Sequence, residues 1–433
     1  MPTVEAPSVP PDQQSVTELS GQGLSYRQVL PTAEDFPAFV QAIGRGFLGR
    51  EASKERIEAA RNDLAHRRML GVYDPATRAA DTPVATMESF VTELTVEQGR
   101  TTPMWAISGV TVSPTHRRRG LAKAMLEGEL RSAATAGLAL AGLTVSEATI
   151  YGRWGFSPAV FTTDWTIQTK RARWIGPRPT GRLDFVTREE LPELLAELFD
   201  RVRLLRAGEV QGWQGLWQNY AGLRPGVDGG DKIRAVQYTD EAGTVRGLLI
   251  YTLTEDDNDF TEHTLNISGL FADGTDAYAA LWRFALEHDL VGTVTATLCS
   301  VDEPLRWMIA DQRAAKVTQT DHQWLRVLDV PAALQARSYP MPGTLSFAVT
   351  DPLGYAEGTW QLDVNDDGGA TVTPHAGEPQ VCLTVGALGS ILLGGVAAGT
   401  LRAAGLVQGD VADIDALEAT FSTSRPPLLS LWY

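Results

Sequence analysis

Between residues 84 and 96 the side chains alternate. Val84, Thr86, Glu88, Phe90, Thr92 and Leu94 fall on one side of an extended chain, and this period of two predicts a half-buried strand. Similar runs predict strands over 24–29, 68–73, 104–112 and 138–145, with helices over 34–46 and 54–67 and a turn-rich connection over 74–82. After Gly120 the period changes. Leu121, Ala122, Met125, Leu126 and Leu130 recur at helical spacing and predict an amphipathic helix. Strands alternating with helices predict an α/β (α+β) domain on a mixed sheet over 24–175. The break Trp174-Ile-Gly-Pro-Arg-Pro-Thr-Gly marks its end. A second α/β region follows over 176–330 and a third over 331–433. The third has strand patterns at 345–350, 358–364, 370–373 and 381–385, then a Gly/Ala/Leu-rich helical region at 388–404. Residues 1–23, rich in Pro, Ser and Gln and without an apolar core, predict a disordered tail and no secretory leader.

Composition narrows the functions. The 433 residues carry a formal charge of −16, which excludes a general nucleic-acid binder and suits an amine-bearing small molecule as partner. The two cysteines, Cys299 and Cys382, sit in apolar strand-like contexts and read as buried free thiols of a cytoplasmic protein. The histidines show no metal-ligand spacing, so no metal is expected. The apolar run LTVGALGSILLGGVAAGTL is dense in glycine and reads as a strand and a buried helix, not a membrane span. The chain ends on Leu-Leu-Ser-Leu-Trp-Tyr, an apolar ending unusual for a frayed terminus.

Against that acidic background stands SGVTVSPTHRRRGLAKAMLEGEL, residues 108–130. A strand ends, a basic loop with a glycine follows, and a helix begins. The first amides of a helix have no intrahelical partner and carry the positive end of its dipole. Gly120 lets the backbone approach a ligand, Ala122 keeps that approach open, and the arginines add charge-assisted contacts. Together these make a pyrophosphate cradle. The string Ile107-Ser-Gly-Val110 recurs as Ile267-Ser-Gly-Leu270, again before a loop and a helix. There Asp273 and Asp276 replace the arginines and would repel phosphate.

Arg117-x-x-Gly120-x-Ala122 resembles the pyrophosphate motif of the GNAT acetyltransferases, and Tyr151-x-x-x-Gly155-Phe156 resembles a second motif of that superfamily, in the right order. With VTVSPTHRRRGLAKAM, SEATIYGRWGF and the glycine-rich C-terminal run, the chain resembles the Eis (enhanced intracellular survival) family from about residue 24 to its end. That resemblance implies two tandem GNAT-like domains, a catalytic one at 24–175 and a degenerate one at 176–330, and a sterol-carrier-protein-like domain at 331–433. It implies acetyl-CoA as co-substrate, held by Val110, Thr111, Val112, Arg117, Arg118, Arg119, Gly120, Leu121, Ala122 and Lys123, with Ser146 and Glu147 beside its arm. It implies Tyr151 as general acid and the terminal carboxylate of Tyr433 as base. The acceptor would be a polyamine such as an aminoglycoside, acetylated at one or more amines, and the assembly a homo-hexamer. Glu51, with Glu55 and Glu58 on an early helix, would supply charge to the acceptor. Trp432 stands where family members often place acidic residues. Two other readings use the same chain: a lipid-binding sterol-carrier-like protein with a vestigial acyltransferase, or an acetyltransferase of protein lysines or metabolite amines.

Overall fold

The computed structural model describes residues 4–433. Twelve strands form one continuous sheet: β1 (Ser25–Val29), β2 (Arg68–Tyr73), β3 (Ala85–Glu97), β4 (Arg100–Val112), β5 (Leu140–Thr144), β6 (Ser157–Gln168), β7 (Arg182–Val186), β8 (Arg234–Thr239), β9 (Val245–Thr254), β10 (His263–Ala272), β11 (Val291–Cys299) and β12 (Ala315–Val327). Their order is β1-β2-β3-β4-β5-β12-β6-β11-β10-β9-β8-β7.

The two expected α/β regions are therefore fused rather than strung together. Each half gives its last strand to the other. β12 pairs with β5 from Gln323↔Thr144 to Val327↔Leu140, and β6 pairs with β11 from Thr293↔Gln168 to Cys299↔Thr163. β6 and β12 then pair antiparallel with each other and close the exchange. A cut at residue 175 would strip each half of a central strand and leave open sheet edges.

The helices of the first half are α1 (Gln13–Ser20), α2 (Phe36–Gly46), α3 (Lys54–Asp63), α4 (Leu121–Thr135) and α5 (Ala148–Tyr151). The expectation of a disordered tail is corrected by α1. Asp12 caps it by accepting from Ser15 N at 2.8 Å, and the Ser15 hydroxyl donates to the Ala124 carbonyl of α4 at 2.7 Å. Arg131 of α4 pairs with Asp12 at 2.8 Å, and Arg68 donates to the Val9 and Pro10 carbonyls while forming a buried ion pair with Glu129. The described part of the tail is thus pinned to the helix that follows the basic loop.

The third domain has a five-stranded sheet of β13 (Gly343–Thr350), β14 (Gly358–Val364), β15 (Ala370–Pro374), β16 (Val381–Thr384) and β17 (Val407–Gly409), in the order β15-β14-β13-β16-β17. Its expected helical region is two helices, Val385–Ile391 and Ala398–Ala403, separated by a turn. The glycines there allow close docking on the large sheet. A β-carbon at Gly389 would stand 2.9 Å from the Leu325 carbonyl, and one at Gly395 2.3 Å from that of Ala159. Arg326 of β12 completes the joint. It is fully buried and holds both carboxylate oxygens of Asp351 at 2.7 Å and the Trp154 carbonyl at 2.7 Å. Cys299 and Cys382 are both free, but Cys299 is only half-buried and Cys382 is exposed on the outer face of β16, which corrects the expectation that both are buried. Among the described residues no helix is long and apolar enough to cross a membrane.

Candidate active site

β4 and β5 run parallel only from Trp105↔Ala141 to Ile107↔Leu143. Beyond Ile107 they part, leaving residues 108–112 unpaired on the β5 side. A bulge turns the strand here: Ser108 pairs with Glu88, but the next pair is Thr111 with Thr86 of β3. Gly109 sits at φ +60, and a β-carbon there would stand 3.0 Å from Glu88 Cγ. The Thr86 hydroxyl anchors the bulge by donating to the Gly109 carbonyl at 2.9 Å and meeting Thr111 Oγ1 at 2.6 Å. Val110, Thr111 and Val112 thus present backbone groups to an open wedge.

The basic loop caps one end of that wedge. Gly120, at φ +79, precedes α4, and no side chain caps the helix N-terminus. Arg118 also takes a left-handed backbone, φ +62, which costs a residue with a β-carbon about 1 kcal/mol. Arg119 is engaged by Asp74 at 3.3 Å, and His116 by the same carboxylate at 3.0 Å. Arg117, Arg118 and Lys123 are exposed, with no carboxylate within ion-pair distance among the described residues. Leu121 is buried beneath the turn and Ala122 is half-buried. Free helix amides, unpaired cations and an open glycine suit a diphosphate. No group of side chains that could hold a metal occurs among the described residues.

The other side of the wedge follows β5. Ser146 and Glu147 are exposed at the start of α5, which ends on Tyr151. Tyr151 is buried and packs edge-on against Phe156, with centroids 6.3 Å apart. Its hydroxyl makes no hydrogen bond to the protein among the described residues. Burial, and then the charge of Glu147, push its phenol up to about 12. Gly155 at φ +80 makes the turn after Tyr151, and a β-carbon there would meet Arg326 Nε and Val385 Cγ1 at 2.8 Å.

The C-terminus enters at the same place. Residues 428–433 form a strap: Leu428 N donates to the Ala207 carbonyl at 2.8 Å, and Ser430 N to both oxygens of Glu209 at 3.2 and 3.1 Å. Tyr220 donates to the Ser430 carbonyl at 3.3 Å, and the His322 Nε2 meets the Leu431 carbonyl at 2.9 Å. The strap ends with Thr144, the last residue of β5, donating to the main-chain oxygen of Tyr433 at 3.0 Å. The Tyr433 ring is buried against Phe90, edge-on at 5.9 Å, and its phenol accepts from Gln323 Nε2 at 3.3 Å. A β-carbon at Gly142 would come within 3.0 Å of that phenol.

Two expected acceptor-side residues are both exposed. Glu51 is exposed in the loop before α3, so it is not on the helix as expected. Trp432 is 53% exposed and its ring packs edge-on against His322, at 4.4 Å between centroids. Residues that sequence reasoning missed stand nearer. Glu88 faces the bulge and pairs with Arg67 at 2.8 Å, both buried, and the Arg67 guanidinium lies 4.5 Å over Phe90 and 5.2 Å over Trp213. His66 packs on Phe90 at 5.5 Å, and burial, then Arg67, lower its imidazole to about 4, so it is neutral at physiological pH. Glu88 had a signal, since it lies on the same side of β3 as Phe90 and Leu94; His66 and Trp213 had none.

The comparisons agree with this geometry. Residues 27–159 and 208–327 each match the family Acetyltransferase (GNAT) domain, and residues 330–430 match the family Sterol carrier protein domain. An uncharacterized N-acetyltransferase of Streptomyces avermitilis is 36% identical over 390 residues, covering 88% of this chain and 92% of that protein. The N-acetyltransferase Eis of Mycobacterium tuberculosis is 31% identical over 342 residues, covering 77% of this chain and 81% of that protein. The crystal structure of Eis1 from Mycobacterium abscessus matches with a TM-score of 0.79 and 29% identity, over 94% of this chain and all of that one. The splayed strands and repeated halves are those of a tandem GNAT enzyme with a sterol-carrier-like domain, and its activity is N-acetyl transfer. Within that class, the chain belongs to the Eis-like N-acetyltransferases. Enzymes of the GNAT fold use acetyl-CoA as donor.

Proposed function

We propose that this enzyme moves the acetyl group of acetyl-CoA to amines of a polyamine acceptor, with aminoglycosides as the leading example and one or more amines modified. The observation that carries this reading is the terminal carboxylate of Tyr433 seated on Thr144, where β5 leaves β4. On this reading the free amides before Leu121 and Ala122, with Arg117, Arg118 and Lys123, hold the diphosphate. Residues 110–112 offer their backbone to the pantetheine arm, which passes Ser146 and Glu147. Arg119, tied to Asp74, sets the loop's shape.

The acceptor nitrogen, as the neutral amine, attacks the thioester carbonyl. The carbon–sulfur bond breaks as the carbon–nitrogen bond forms. Tyr151, whose phenol stays protonated across the working pH range, gives its proton to the departing thiolate. The proton lost by the amine passes to the Tyr433 carboxylate, directly or through water. An unperturbed terminal carboxylate is a weak base, with a pKa of about 3.5. Its contribution is therefore chiefly to orient an amine already partly neutral. The chain's charge of −16 favours a cationic acceptor.

A homo-hexamer in the cytoplasm is proposed with this reading, on family resemblance; a solution mass six times 46.9 kDa would support it and a monomeric mass would overturn it. The activity is tested by mixing enzyme, acetyl-CoA and kanamycin and following thiol release, with product mass giving the number of acetyl groups. Stoichiometric thiol and acetyl-kanamycin support the reading. Thiol release with lysine peptides but with no amino sugar would replace it by the protein-lysine alternative.

A further inference from the structure

The second half repeats the wedge without its cradle. β10 and β11 run parallel as far as Ile267↔Ala296 and then separate, and β10 shifts register against β9 between Ile267 and Gly269, just as β4 is bulged after Ser108. A cavity of about 750 Å3 opens between the separated strands, within the usual size range of small-molecule sites, roughly 300–1,000 Å3. At the start of the following helix, Thr275–Leu286, Asp273 stands in place of the arginines and is engaged by Arg246 at 2.8 Å. The basic loop that would hold a diphosphate is missing at this helix start.

The walls instead suit a cation. Glu209 and Glu303 both line the cavity, and neither has an ion-pair partner within 4.0 Å among the described residues. Glu209 is 3% exposed and accepts only from the Ser430 amide. Glu303 accepts from the Tyr278 hydroxyl and from Ser300 N at 3.0 Å. The neighbouring Arg206 is engaged by Asp302 at 3.1 Å and by the Ser300 hydroxyl at 2.6 Å, and Arg425 is exposed. Burial raises Glu209 to about 7 and also raises Glu303, outweighing the opposing pull of the Arg206 charge on both. Trp282, which lines the same cavity and is 1% exposed, has an Nε1–H with no acceptor, and the Ser430 hydroxyl is likewise unpartnered. An orphaned indole donor calls for an oxygen acceptor.

We propose that this cavity is a second ligand site, for a hydroxylated amine whose ammonium group lies between Glu209 and Glu303 and whose oxygens accept from Trp282 and bond to Ser430. The site stands apart from acetyl transfer and does not require its ligand to be acetylated. It shares a wall with the strap, because Ser430 lies three residues before Tyr433.

The test is calorimetric titration of kanamycin into the full-length enzyme, the Glu303→Gln variant and the Trp282→Phe variant. Sucrose serves as the hydroxylated probe without an amine. The wild type is expected to bind one equivalent per chain that Glu303→Gln weakens at least tenfold, and to show quenching of indole fluorescence that Trp282→Phe abolishes. A further equivalent, insensitive to both substitutions, would be the acceptor site. Its absence, with no thiol release, would count against the acetylation reading alone. Equal stoichiometry and affinity in all three proteins, or equal binding of sucrose, would overturn the second site. Should Glu303→Gln fail to fold by circular dichroism, the Trp282→Phe titration decides by the same criteria.

Discussion

Thr144 donates its hydroxyl to the main-chain oxygen of Tyr433 at 3.0 Å, which ties the end of the strap to the last residue of β5. Those residues are 289 positions apart, and the contact seats Tyr433 where β4 and β5 have just separated. A hydrogen bond to a charged group contributes about 1.5–3 kcal/mol. Replacing Thr144 with Val keeps the shape and removes the donor. Steady-state kinetics are expected to show kcat reduced about tenfold or more, with acetyl-CoA affinity unchanged. An unaltered kcat would mean the bond does not position the carboxylate for the reaction.

The role proposed for Tyr151 rests on its hydroxyl alone. Tyr151→Phe keeps the edge-on packing against Phe156 and is expected to lower kcat by about 10²–10⁴-fold, the usual range for a lost general acid. Coenzyme binding, measured by calorimetry, should persist. The pH profile is a second check. Because burial raises the phenol to about 12, it stays protonated as pH rises through 10, so no loss of rate below that pH should arise from this residue. An alkaline limb that appears near pH 9 and disappears in Tyr151→Phe would contradict the assignment.

The cradle depends on backbone shape as much as on charge. Gly120 at φ +79 has open space around its missing side chain, so Gly120→Val adds strain without a clash. A left-handed β-branched residue costs more than the roughly 1–2 kcal/mol of an ordinary one, and the expected result is a rise of about tenfold or more in the KM for acetyl-CoA. Arg117→Ala with Arg118→Ala should weaken the coenzyme and flatten the dependence of its affinity on ionic strength. A KM for acetyl-CoA that both variants leave unchanged would place the diphosphate elsewhere.

The third domain is joined to the large sheet through Arg326 and Asp351, both fully buried and 2.7 Å apart. Removing one partner of such a pair leaves the other charge uncompensated, at a cost of about 3–5 kcal/mol. Asp351→Asn is expected to lower the denaturation midpoint accordingly. It is also expected to lower activity, since Arg326 supports the Trp154 carbonyl and abuts Gly155 in the turn after Tyr151. An unchanged midpoint would show the pair contributes no net stability.

What could be read along the chain was what depends on near neighbours. The run from Val84 to Leu94 corresponds to β3, although its first six residues are buried on both faces where a half-buried strand was expected, and the period that begins at Leu121 corresponds to α4. The arginine loop is legible because its helix start, glycine and charges are contiguous. The exchange of β6 and β12 is not legible, because Gln323 and Thr144 are far apart along the chain and neither strand's pattern names its partner. The N-terminal segment misleads by composition: its prolines and glutamines hide one good cap, Asp12, and a short helix that is stable through α4. The second-half cavity was hidden for a similar reason. Asp273 and Asp276 signal a lost anion site, while Glu209, Glu303 and Trp282 come together only in the folded sheet. The packed ending was visible as an apolar terminus, but its seat on Thr144 depends on the strap's anchors at Ala207, Glu209 and His322.

The most direct measurement concerns the terminal carboxylate. A variant with one glycine added after Tyr433 retains every side chain but moves the negative charge one residue away from Thr144. Single-turnover rates and acetyl-CoA titration on that protein are expected to show acetyl transfer slowed at least a hundredfold and coenzyme affinity within twofold of the unmodified enzyme. Transfer at the original rate, with the extension verified by mass, would contradict the assignment of the chain's own terminus to the reaction.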